Sequence, residues 1–130
     1  KPAVVLTSNR TRELHDALKR RALFHWIDHP SIEREVEIVK LRVPGIPERL
    51  AAQAAAFVRE LRALDLAKPP GVAETIDWAM ALNALGRQEI DADVVEQTLG
   101  SVLKYREDIE QVRDETLSAL VDGARAASAR

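Results

Sequence analysis

Short apolar runs and charged stretches alternate through the first thirty residues, and helical spacing takes over afterwards. The run Ala3–Leu6 is apolar and partly β-branched, and it ends in the polar tip Thr7, Ser8 and Asn9. A charged helix is predicted over Thr11–Arg20, starting from Asn9 or Thr11, and a second apolar run, Leu23–Ile27, reads as another strand. Two apolar strands joined by so short a helix suit a right-handed crossover in a parallel sheet. Two strands are marginal without a third and a packed face. Because everything after Pro30 looks helical, the chain either pairs its strands with another polypeptide or is the back part of a longer protein, and the second reading is preferred.

The remainder divides at its prolines and glycines. Ser31 is the expected N-cap of a helix over Ser31–Val43, with Ile32, Val36, Val39 and Val43 inward and Glu33, Glu35, Glu37, Lys40 and Arg42 on the wet side. Pro44-Gly45-Ile46-Pro47 breaks it, and Pro47 suits the first position of a helix reaching Leu66. That helix carries Leu50, Ala54, Phe57, Val58, Leu61 and Leu64 on one stripe. After Lys68-Pro69-Pro70-Gly71 a further helix is predicted from Val72 to Leu85. Ile76, Ala79, Met80 and Leu85 point inward, Trp78 is half buried, and Gly86 is the stop. Asp91 or Asp93 starts the next, through Leu103, using Val94, Val95, Leu99, Val102 and Leu103. The last runs from Arg106 to Leu120 or beyond. The fold class predicted is mostly α: a strand-helix-strand piece over residues 1–30, a bundle of four to five helices over 31–122, and a flexible tail over 123–130.

Composition narrows the classes of function. With 130 residues, one modest core is the default. A formal net charge of −2 gives no global attraction to nucleic acid or to an anionic membrane. No cysteine is present, which excludes disulfides and thiolate chemistry and fits a reducing, cytoplasmic compartment. No apolar run approaches the ~20 residues that span a bilayer, and no leader sequence is evident.

Candidate chemistry is sparse. Neither a phosphate loop of the GxxxxGK[ST] kind nor a GxSxG elbow occurs in the chain. His25, Asp28 and His29 invite a metal reading, but a strand residue beside a turn residue makes a poor ligand pair, so no metal is assigned. Asn9 is either a turn former and helix cap or a group that orients water at a terminal phosphate. Arg20 and Arg21 either complement the helix dipole or reach a neighbouring subunit's site, where a planar cation suits a transferring phosphoryl group. The cluster Arg10, Arg12, Lys19, Arg20 and Arg21 hints at nucleic acid, but no aromatic platform is expected beside it, and no nucleic-acid partner is assigned.

The stretch VLTSNRTRELHDALKRR, followed by an apolar run and a helical lid, resembles the back half of an AAA+ ATPase module. The branch it is most similar to is the MoxR type, whose members associate with partners bearing a von Willebrand factor A domain. The similarity extends from Ala3 to about Val112. The resemblance implies that Asn9 is the sensor-1 residue and that Arg20 is the arginine finger offered to the next protomer. Arg21 stays an alternative, because the family's acidic-Arg-aromatic sequence is here Lys19-Arg20-Arg21. The cofactor-facing start of the third lid helix falls at Val72 and Glu74, with Val72 where many relatives carry the sensor-2 arginine.

On the same resemblance, the Walker A and Walker B segments lie before Lys1, and the strand between the two seen here lies with them. The intact protein is then expected to bind ATP and Mg, to assemble as a hexameric ring and to remodel a partner or metalloenzyme client. These 130 residues alone are expected to be inactive. The alternative is a non-enzymatic helical interaction module that docks a partner helix.

Overall fold

A computed structural model describes residues 1–9 and 12–129. Among the described residues there are seven helices and no strand. They are α1 (Asp16–Lys19), α2 (Ile32–Arg42), α3 (Glu48–Arg62), α4 (Val72–Ala84), α5 (Ala92–Val102), α6 (Arg106–Glu115) and α7 (Leu117–Ser128).

The expected strand-helix-strand piece is therefore corrected. Residues 3–6 and 23–27 form no ladder, and Val5, Leu23 and Ile27 are 86 %, 103 % and 90 % exposed. A run of β-formers becomes a strand only when a second backbone takes up its N–H and C=O groups in a ladder, and no such ladder forms among the described residues. Thr11, one of the two expected starts of the charged helix, lies outside the described residues, as does Arg10. What forms is the single turn α1, capped by His15, whose Nδ1 accepts from the Ala17 N–H at 3.2 Å. It buries no residue, and a helix this short gains little from propensity alone.

From Ser31 onward the mostly α expectation fits. Ser31 caps α2 by accepting from the Arg34 N–H at 3.2 Å, and Asp91 caps α5 by accepting from the Val94 N–H at 2.8 Å. Helix α3 is the centre of the body, packed by α2, α4 and α7. Its alanines at 51, 54 and 55 are fully buried, and so is Ala124 of α7, so small side chains let these helices approach closely. Residues 123–128, expected as tail, belong to α7. The single last helix expected from Arg106 is two, broken at Thr116 (φ −132°, ψ −9°).

Helix α4 buries Ala79 as expected and packs Ile76 partly against the core, but the rest of its buried face differs from the one expected. Thr75, Trp78, Ala79 and Leu82 point inward, while Met80 and Leu85 are exposed. Trp78 is wholly buried rather than half buried, packed against Phe57 with ring centroids 5.2 Å apart and ring planes tilted by 44°. Its indole N–H donates to Thr98 Oγ1 at 2.8 Å, which in turn donates to the Val94 carbonyl at 2.6 Å. That satisfies a donor whose burial would otherwise be costly.

Helix α4 stops where expected, at Gly86, whose φ of +69° is left-handed. A Cβ there meets nothing within 4 Å, so only backbone strain opposes a side chain. Gly86→Ala is expected to cost about 1–2 kcal/mol, read as a lower urea midpoint at unchanged m-value.

Candidate functional site

The residues singled out by sequence fall in two places. Asn9 is exposed on the extended segment. Arg20 is the C-cap residue of α1, and Arg21 follows with its N–H bonded to the Leu18 carbonyl at 3.1 Å. Both arginine side chains are exposed and enter no ion pair among the described residues. Helix α1 buries no residue and is not among the helices that pack extensively on one another.

Val72 and Glu74 share the first turn of α4. Glu74 Oε2 accepts from the Gly71 N–H at 2.9 Å, which is one half of a capping box, since Gly71 has no side chain to return the bond. The carboxylate is thus used to close the helix start, and Val72 beside it is half-buried.

Behind this turn lies a polar cluster that the sequence reading placed differently or passed over. Glu35, expected on the wet side, is 1 % exposed. Arg62 of α3 meets it with a two-pronged contact, Nη1 to Oε2 and Nη2 to Oε1, each at 2.8 Å. The Thr75 hydroxyl donates to Glu35 Oε1 at 2.7 Å. The third face of the guanidinium is used as well, with Nε donating to the Pro70 carbonyl at 2.7 Å. A carboxylate buried this deeply is tolerable only with such a full set of donors. The cluster ties α2, α3 and the start of α4 together.

Two more buried polar side chains hold loops. Asp108 of α6 is 2 % exposed and accepts from the N–H groups of Ala67 and Lys68 at 2.8 and 3.0 Å. Gln53 of α3 accepts from the Ile90 N–H at 2.8 Å and anchors the turn between α4 and α5.

A cleft of about 480 Å³ opens beside the Glu35–Arg62 pair, where His29, Pro30 and the start of α2 face Arg59. Anion binding there is opposed by Glu33. Its carboxylate is held below the usual range by its own backbone N–H first, then by the Ser31 hydroxyl and, weakly, by Arg59. The helix start is already served by a negative group of the chain. Among the described residues no three His, Asp or Glu side chains converge as a metal-ligand set, and no helix is long and apolar enough to cross a membrane.

No protein-family model matches the chain, and comparison with curated proteins and with solved structures likewise gives no match.

Proposed function

We propose that the chain is the C-terminal part of a MoxR-type AAA+ ATPase, with residues from Ser31 onward acting as its lid. In this reading Asn9 helps position the water that attacks the γ-phosphate, and Arg20 of one protomer stabilises the transition state in the next. The ATP and Mg sites belong to a nucleotide-binding part outside these residues. The lid converts the state of the nucleotide into movement between subunits of a cytoplasmic ring, which remodels a client, with a von Willebrand factor A domain protein as the expected associate.

The observation that supports this reading is a contrast within the chain. The helical body closes its own core, whereas the segment before His29 carries a series of exposed apolar side chains, among them Val4, Val5, Leu6, Leu23 and Ile27. So much apolar surface on a short stretch implies a cover from elsewhere, which the nucleotide-binding part supplies. Arg20 and Arg21 stand on the same stretch with their charges unspent on the body.

Steady-state ATP hydrolysis by the full protein carrying Asn9→Ala tests the assignment. Turnover is expected to fall about a hundredfold, as when one preorganised polar group is removed from a reacting centre, with Mg-ATP affinity little changed. Turnover indifferent to the substitution would remove Asn9 from the reaction and favour the interaction module.

A further inference from the structure

The loop between α3 and α4 is held from two sides by side chains of α6 and of the two helices it joins. On the entering side, the Asp108 carboxylate of α6 takes both the Ala67 and the Lys68 N–H. On the leaving side, Arg62 of α3 donates to the Pro70 carbonyl while its other nitrogens are locked on buried Glu35 of α2. Glu74 then closes the start of α4 on Gly71. Between the two grips lie Pro69 and Pro70, whose rings fix φ and leave the loop little freedom to absorb a displacement by rotating. A link of this stiffness carries motion from one end to the other.

We propose that Asp108 is a positioning residue: through the stiff Lys68-Pro69-Pro70-Gly71 link it sets the first turn of α4, so that α6 and the start of α4 open and close as one unit. The step deepens the ATPase reading, which gives Val72 and Glu74 of that turn to the nucleotide, but the coupling itself is a property of this chain without any ligand. Its partners are the backbone N–H groups of residues 67 and 68 on one side and a carbonyl on the other. The grip therefore depends on one carboxylate and one guanidinium, and little on which side chains the loop carries.

Native-state amide hydrogen exchange on the 130-residue chain tests this, with no nucleotide present. In Asp108→Asn, which keeps the shape but loses the charge and one acceptor, exchange at Ala67 and Lys68 is expected to quicken roughly tenfold to a hundredfold. The amides of Gly71 and Thr75 should quicken alongside them, whereas Ala54 in α3 and Leu99 in α5 stay as they were. Arg62→Lys, which retains a cation for Glu35 but cannot make all three contacts, should quicken the same four loop and α4 amides from the opposite side. Acceleration confined to Ala67 and Lys68 in the first variant, and to Gly71 and Thr75 in the second, would overturn the coupling. So would an equal acceleration at Ala54 and Leu99, which would mean that the whole body had loosened. If the coupling holds but Asn9→Ala leaves ATP turnover intact, the clamp stands and the ATPase assignment falls.

Discussion

Arg20→Ala, introduced into the full protein, is expected to lower ATP turnover by at least about a thousandfold, the range over which an arginine finger acts. Binding of Mg-ATP should barely change, because on the proposed reading the side chain would serve the transition state in a neighbouring subunit and not its own site. The structure leaves Arg20 exposed at the end of α1, in no ion pair among the described residues, so its charge is available to another chain. A guanidinium engaged in trans also predicts rescue. Mixed with Asn9→Ala subunits, which keep a sound finger, Arg20→Ala subunits should regain part of their turnover. Arg21→Ala serves as the comparison: whichever of the two gives the larger loss and the rescue is the finger. Unchanged turnover in both variants, or an equal loss of nucleotide affinity, would refute the assignment.

The second large effect is on stability. Glu35→Ala is expected to cost about 3–5 kcal/mol, the usual penalty for stripping one partner from a buried ion pair. Arg62 would be left 12 % exposed at its side chain, held only by the Pro70 carbonyl and a long 3.5 Å contact to Thr75. Set against the 5–15 kcal/mol that typically holds a domain together, such a loss brings the fold close to its limit. Arg62→Leu should be similarly harmful. Combining Glu35→Ala with Arg62→Leu should cost far less than the sum, since no charge is then stranded, and urea midpoints for the cycle measure the difference. Strict additivity would show that the pair contributes nothing as a pair.

Much of the helical body was legible in the chain. Ser31, Asp91 and Gly86 act as caps and stop as read, because capping depends on a few neighbouring atoms. The stripes of α3 and α5 were plain because polar residues mark their opposite faces. In α4 nearly every position from Ile76 to Leu85 is apolar or small, so two helical phases fitted equally well, and packing against Phe57 and Thr98 chose the one with Trp78 inside. The buried polar residues carried a signal of spacing that charge concealed. Glu35 stands three after Ile32 and four before Val39, Gln53 three after Leu50, and Asp108 four before Val112, all at core register. A polar residue on an apolar stripe reads as an exception until its partner is found, and the partner lies far along the chain.

The first thirty residues were not legible in this way. Whether Val4–Leu6 or Leu23–Ile27 becomes a strand is decided by a second backbone, which local sequence cannot specify. Of the candidate site, the chain gave the residue types and their order, while the turn shared by Val72 and Glu74 and the clamp behind it required the fold.

Helix α7 lies against α3, which is the middle of the core, although it follows α2 to α6 along the chain. Until Leu117–Ser128 has been made, the alanine face of α3 that it covers stays wet, and the earlier helices can gather only loosely. A nascent chain paused or cut near Thr116 would present that greasy seam to chaperones and proteases, so completion of the body waits for α7.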